Sequence, residues 1–142
     1  MTTSTTAARK AFVPVRRSGN LLFVSGQLPL AGGELVATGI VGATVTVDQA
    51  REAAEACANN CLAVVEAELG SLENVDFVVK LNGYVASASD FTAQAAVMDA
   101  ASDVVLARLG DAGEHARLAI GVASLPLGAA VEVEMIVAVK AG

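Results

Sequence analysis

The sequence has little aromatic content: it contains no tryptophan, one tyrosine and four phenylalanines, so aromatic residues make up only 4% of its 142 residues. Hydrophobic residues nevertheless reach 54%, and a core must be built from valine, alanine, leucine and isoleucine. No stretch approaches the roughly 18 uncharged apolar residues of a membrane span, which excludes a membrane partner. The mean hydropathy of +0.59 is high for a small lone domain, and contacts between subunits would account for the excess.

Cysteine and histidine are also scarce. The two cysteines, Cys57 and Cys61, lie four residues apart in a helical pattern, which favours buried free thiols over a disulfide. A single histidine, His115, and the lack of a Cys-x-x-Cys motif leave no credible metal site. The glycines form neither a dinucleotide fingerprint nor a phosphate-binding loop. We therefore expect no metal and no cofactor.

Basic residues are outnumbered, 9 against 15 acidic, giving a net charge of −6. Such a balance disfavours nucleic acid as a partner, because affinity for phosphates comes chiefly from clustered lysine and arginine. Residues 1–10 are polar and lack the apolar run of a signal peptide, so we expect a disordered lead and a cytoplasmic protein. No linker or repeat divides residues 11–142, which predict a single domain.

The first half of the domain predicts a hairpin followed by a long helix. Residues 12–24 contain two apolar runs around Gly19 and Asn20, a turn signal. A second turn at 31–34 and a short apolar piece at 35–37 predict minor strands or loop. Thr46 and Gln49 then have the spacing of a capping box, so a helix should begin there and end at Gly70.

The second half predicts a strand, a helix and two more strands. Residues 75–85 alternate in polarity, as do 130–139, and 117–123 form a third apolar strand. Residues 87–90 offer caps for a second helix, whose apolar stripe would comprise Phe91, Ala95, Met98, Ala101, Val105 and Leu109. The order β-β-(β)-α-β-α-β-β predicts an α+β fold with one mixed sheet and two helices packed on one face.

Arg117 is the most unusual charged residue, because it begins an otherwise apolar strand. Its fork of donors suits a carboxylate held bidentately. The alternative is a structural salt bridge with Glu132 or Glu134 from a neighbouring strand, and Glu132 could equally be a solvated residue. His115 is interpreted as a surface loop residue that nothing nearby orients, and Tyr84 as a half-buried strand aromatic.

Three segments together resemble the Rid (YjgF-like) family of enamine/imine deaminases. They are GNLLFVSGQLP at 19–29; VVK at 78–80 with SDF at 89–91; and AR at 116–117 followed by LP at 125–126 and VEVE at 131–134. The run GVASLPLG at 121–128 further resembles a divergent branch. The resemblance implies a chorismate-mutase-like fold, a homotrimer with ligand clefts between subunits, and cofactor-free hydrolysis of an enamine or imine to a 2-keto acid and ammonia.

The resemblance also implies roles for single residues. Arg117 matches the arginine that grips the substrate carboxylate, and Glu132 matches the glutamate that positions or activates water. Ser25 and Gly26 belong to the motif that lines the same pocket. We therefore expect a small carboxylate-bearing metabolite as the ligand.

Three positions depart from the family pattern. Phe12 stands where deaminating members have a tyrosine, and Ala119 replaces a cysteine two residues after Arg117. The family asparagine on the second helix corresponds to Ala95 counted forward from the SDF motif or to Asp99 counted back from Arg117. An aspartate there would repel a carboxylate and attract an amine.

These observations leave three hypotheses of different class. The first is hydrolytic deamination of small enamines or imines, and the alternative is a non-catalytic protein that binds a small acid in the same cleft. The third, RNA cleavage, is disfavoured by the net charge of −6.

Overall fold

The structure is a computed structural model that describes residues 11–142; the predicted disordered lead, residues 1–10, lies outside the described residues. Within this part of the chain, no helix is long and apolar enough to cross a membrane. The strands are β1 (Val15–Ser18), β2 (Leu21–Gln27), β3 (Leu30–Ala31), β4 (Glu34–Leu35), β5 (Val75–Ala86), β6 (Ala116–Val122) and β7 (Val131–Val139). The α-helices are α1 (Val47–Leu69) and α2 (Gln94–Leu109).

Helix α1 begins at the predicted capping box. The Thr46 hydroxyl accepts from the Gln49 N–H at 3.1 Å, and the Gln49 side chain accepts from the Thr46 N–H at 2.9 Å, so two helix-end donors are satisfied reciprocally. The helix ends at Gly70, whose φ of 82° lets its N–H reach the Glu66 carbonyl. Both predicted ends are confirmed.

Most of the buried side chains of α1 are alanine or cysteine, and such small side chains let the helix approach the sheet closely. Cys57 and Cys61 are buried free thiols, as predicted. Their sulfurs contact the carbonyls of Val131 at 3.6 Å and Val133 at 3.4 Å. Burial raises the pKa of both thiols, so they have little thiolate character.

Five strands form the main sheet in the order β1-β2-β7-β5-β6. Strands β5 and β6 are parallel, whereas β1 with β2, β2 with β7, and β7 with β5 are antiparallel. Strands β3 and β4 form a separate two-stranded hairpin, which occupies the place of the optional strand in the prediction. The α+β fold class, with two helices on one face of a mixed sheet, is confirmed.

Strand β7 alternates as its sequence predicts. Val131, Val133 and Met135 are buried beneath the helices, while Glu132 and Glu134 point to the other side, here called the open face. The open face also carries exposed apolar side chains: Phe23 (42%), Phe77 (47%), Leu118 (41%) and Ile120 (39%). These four side chains leave apolar surface in contact with water on the side of the sheet that the helices do not cover.

The predicted start of the second helix is wrong. Helix α2 begins at Gln94, and its N-cap residue, Ala93, makes no side-chain hydrogen bond. The cause is that the Ser87 and Ala88 N–H groups bond to the carbonyls of Val122 and Val41, so these two residues stay outside the helix, and the chain turns at Ser89 and Asp90 before α2 begins. Of the predicted stripe, Met98, Ala101 and Val105 are buried, Leu109 is half-buried in the last turn, Phe91 precedes the helix and Ala95 is exposed.

Candidate functional site

Arg117 is the second residue of β6, which forms one edge of the sheet. It lies beside Leu81 of β5, a core residue, and neighbours in parallel strands share a face. Its side chain therefore points to the helix side, where it is 22% exposed. Arg117 Nη1 donates to Asp99 Oδ1 at 2.8 Å and to Ser102 Oγ at 3.2 Å, both on α2.

The predicted alternative, a salt bridge from Arg117 to Glu132 or Glu134, is wrong. Strand β6 borders β5, and β5 separates it from β7. The two glutamates also project from the open face, opposite to Arg117. The arginine is instead partnered by the exposed carboxylate of Asp99.

His115 is held from both sides, contrary to its interpretation as a loop residue that nothing orients. Its Nδ1 lies 2.6 Å from the Gly113 carbonyl oxygen, and its Nε2 lies 2.9 Å from Ser102 Oγ. Sequence reasoning missed Ser102 as well. The nearest signal was the position of His115 two residues before Arg117, but the contact with Ser102 spans 13 residues and follows only from the packing of α2 on β6.

These four residues, Asp99, Ser102, His115 and Arg117, are called the Arg117 half-site. They line an open depression of about 400 Å³ together with Leu106 and Glu114. Two positions that depart from the family pattern lie close to this half-site. Ala119, at the position of the family cysteine, lies two residues further along β6 and packs against the core. Ala95 is exposed, and it is Asp99 that contacts Arg117.

Glu132 lies at a different place, against the end of β2. A Cβ added at Gly26 would overlap Glu132 Oε2, so the carboxylate occupies the space that the missing side chain leaves. Ser25 donates its hydroxyl to the Val13 carbonyl at 2.7 Å and its N–H to Pro14 at 2.9 Å. These bonds fix the segment that contains Phe12, whose side chain is 67% exposed. Ser25, Gly26 and Glu132 are called the Glu132 half-site.

The pKa of the Glu132 carboxyl departs from its ordinary value. Its pKa is raised, first because partial burial penalises the charged form and second because Glu134 lies nearby. A raised carboxyl pKa brings the group closer to neutral pH, where a general base works best. Glu132 is therefore suited to taking a proton from water.

Glu134 is bound by two neighbours on β5. Tyr84 donates its hydroxyl to Glu134 Oε1 at 2.7 Å, and Asn82 Nδ2 donates to the same oxygen at 3.2 Å. The interpretation of Tyr84 as a half-buried strand aromatic is correct, but its hydroxyl has a defined partner. This hydrogen bond, followed by burial, raises the pKa of Tyr84 to about 12.

The single tyrosine makes this pKa directly measurable. We expect the phenolate absorbance of the native protein to appear with a midpoint near 12, against about 10 for an ordinary tyrosine. Because the pKa is raised in the folded state, its contribution to stability is fully present below about pH 10 and is lost as the pH rises toward 12. In Glu134→Gln the midpoint should fall toward 10. A native midpoint near 10 in folded protein would contradict the hydrogen bond.

The two half-sites do not meet within one chain. Arg117 points from the sheet edge to the helix side, and Glu132 points from the open face beside Gly26. Among residues 11–142, no group of three histidine, cysteine, aspartate or glutamate side chains could hold a metal ion. The Arg117 half-site presents guanidinium donors, and the Glu132 half-site presents a carboxyl whose pKa is raised.

A mixed sheet in this strand order, with two helices on one face, is the YjgF-like α+β fold. The profile of the family described as endoribonuclease L-PSP matches residues 2–139, and the chain belongs to this family. It is 48% identical to Protein TCP17 of Trypanosoma cruzi, over 84% of this chain and 76% of the relative.

Two solved structures show the same architecture. The protein Atu1372 of Agrobacterium tumefaciens is 49% identical and superposes with a TM-score of 0.90, covering 92% of this chain and 82% of that one. The YjgF gene product of E. coli is 26% identical with a TM-score of 0.68, covering 95% and 92%. The predicted YjgF-like family and fold are thereby confirmed.

Proposed function

We propose that this protein hydrolyses small reactive enamines or imines, resembling 2-imino acids, to keto acids and ammonia in the manner of the Rid deaminases. The observation that carries the proposal is the guanidinium of Arg117. It is partly buried at the sheet edge, and only its Nη1 is hydrogen-bonded within residues 11–142. Nε and Nη2 are therefore available to a ligand carboxylate.

Hydrolysis of an imine requires few protein groups. A protonated imine carbon is already electrophilic, so the protein must orient it, place a water molecule and move protons. Arg117 would hold the carboxylate, and Glu132 would take a proton from the attacking water. Glu132 would pass that proton to the nitrogen of the resulting carbinolamine. Ammonia would leave as the carbon–nitrogen bond breaks, and the hydroxyl would lose its proton to form the keto group. This reaction requires no cofactor.

The proposal includes a homotrimer, the assembly that the resemblance to the Rid family implies, and a second copy of the chain is needed because one chain keeps its half-sites apart. The open face bears Glu132 among the exposed apolar side chains of Phe23, Leu118 and Ile120. Covering that face with another copy would remove this apolar surface from water. It would also place Glu132 of one subunit near the sheet edge of its neighbour. A cleft so formed would contain one half-site from each subunit.

Mixing subunits tests this arrangement. Ammonia release from freshly generated 2-imino acids would be measured for the native protein, for Arg117→Ala and for Glu132→Gln. We expect both variants to be nearly inactive alone. After joint dissociation and reassembly they should regain activity, because some clefts then combine an intact Arg117 with an intact Glu132.

The possible results test the deaminase activity, the shared cleft and the trimer separately. No release above background by native protein of intact oligomeric state would overturn the deaminase proposal. Release by the native protein with no recovery in the mixture would show that the cleft is not shared between subunits. If light scattering found a monomer at micromolar concentration, the proposed homotrimer would be wrong.

Binding without catalysis is a second candidate, favoured by two positions that lack a polar side chain. Phe12 offers no hydroxyl to the Glu132 half-site, and Ala119 offers no thiol two residues after Arg117. In that case calorimetry would detect binding of a small acid that never turns over. RNA cleavage, the activity in the family description, is disfavoured by the net charge of −6; degradation of RNA by the native protein but not by Arg117→Ala would reinstate it.

A further inference from the structure

Ser102 and His115 form a pair that the proposed deamination does not use. Ser102 Oγ lies 2.9 Å from His115 Nε2, and His115 Nδ1 lies 2.6 Å from the Gly113 carbonyl oxygen. A carbonyl oxygen only accepts, so Nδ1 carries a proton. The Nε2 of a neutral imidazole is then an acceptor, and Ser102 donates its hydroxyl proton to it.

This is the arrangement of an activated nucleophile, in which a hydroxyl faces a base that a third group orients. The usual orienting carboxylate is here replaced by the backbone carbonyl of Gly113. In addition, Arg117 Nη1 donates to Ser102 Oγ at 3.2 Å, so a cation favours the developing oxyanion of the serine.

The depression around Ser102 combines an apolar wall with hydrogen-bond donors, as binding of an acyl group requires. Ser102 and His115 line the open depression of about 400 Å³, where the 38% exposed side chain of Leu106 provides an apolar wall. Arg117 Nη2 and Nε have no hydrogen bond within residues 11–142. Either can donate to the oxygen that becomes negative when a carbonyl is attacked.

We infer that Ser102 is a nucleophile that accepts the acyl group of small carboxylic esters, with His115 as its base and Arg117 as the oxyanion donor. This inference does not depend on the deaminase proposal, which uses neither Ser102 nor His115.

The reaction balances without a co-reactant other than water. Ser102 Oγ bonds to the acyl carbon while its proton passes to His115 Nε2. The tetrahedral intermediate collapses as the bond to the alcohol oxygen breaks, and Nε2 returns the proton to that oxygen. Water then attacks the acyl-serine, with Nε2 taking and returning its proton, to give the acid and free Ser102.

Two probes test the nucleophile on the intact protein: hydrolysis of p-nitrophenyl acetate and labelling by a fluorophosphonate, with the modified residue located by peptide mass spectrometry. We expect a phosphonyl group on Ser102. Ser102→Ala should reduce ester hydrolysis to the spontaneous rate, and His115→Gln should slow both reactions about 100-fold, a typical general-base contribution.

Ser18→Ala serves as the matched control, because Ser18 is an exposed serine on β1, outside both half-sites. Its hydrolysis and labelling should equal those of the native protein. Absence of label on Ser102 in folded native protein would overturn the inference, as would equally fast labelling of Ser102 in His115→Gln. Ammonia release from 2-imino acids by the native protein and by Ser18→Ala is a separate assay of the deaminase, so failure of one activity does not imply failure of the other.

Discussion

Replacement of Arg117 by alanine should lower kcat/KM for a 2-imino acid about 30-fold to 5,000-fold, the equivalent of about 2 to 5 kcal/mol. The reason is that the substrate carboxylate would enter a partly desolvated place with no cation to receive it. The fold should survive, because the Arg117 side chain lies at the sheet edge and its partner Asp99 is 59% exposed, so Asp99 remains hydrated. Initial rates of ammonia release measure the loss of kcat/KM, and an unfolding curve for each protein shows whether the fold survives.

Two further arginine variants make this result specific. Arg108→Ala removes an arginine from the last turn of α2, where it bonds Asn59 in an exposed position, and should leave the rate unchanged. Arg117→Lys keeps the charge but loses the planar fork, so most of the loss should remain. Equal rates for the native protein and Arg117→Ala would show that Arg117 does not bind the substrate, even if the deaminase activity itself were present.

Local chemistry made much of the fold predictable from the sequence. The Thr46 capping box and Gly70 satisfy the ends of α1 by their own hydrogen bonds, so neighbouring residues suffice to place them. The start of α2 was not predictable in the same way. Ser87 and Ala88 before it are held by hydrogen bonds to Val122 and Val41, residues far away in the chain, and such tertiary bonds override local cap preference.

The candidate site was predictable residue by residue but not as an arrangement. Alternation along β7 places Glu132 on one face of its strand, yet it cannot say that β5 would lie between β7 and β6. That strand order excludes the predicted salt bridge to Arg117. The pair of Ser102 and His115 was hidden for a similar reason, since a helix and a loop meet only when α2 packs against the sheet edge.

Gly26→Ala should lower kcat/KM for the same imine about 100-fold, the typical loss when a general base is misplaced. The new methyl would overlap the Glu132 carboxylate, and the glutamate must move away. Because the carboxylate ends a flexible, half-buried side chain, we expect the free energy of unfolding to change by less than about 1 kcal/mol. Ammonia release and urea denaturation measure the two effects.

Gly83→Ala is the matched control, because it adds the same methyl to β5 but on the helix side. There the methyl would overlap the side chain of Met98, which is fully buried. Met98 is enclosed by the core and cannot move aside as the half-buried Glu132 side chain can. Overpacking should therefore lower the free energy of unfolding by about 1 to 3 kcal/mol. Activity per folded molecule should persist, because Gly83 belongs to neither half-site.

The contrast between these two glycines separates a functional close approach from a structural one. If Gly26→Ala destabilised the protein as much as Gly83→Ala, the gap beside Glu132 would be a packing requirement, and its loss of activity would carry no information about a base. If Gly26→Ala kept both its stability and its rate, Glu132 would not act from the position that it occupies here. Only loss of rate with retained stability places the working carboxylate against Gly26.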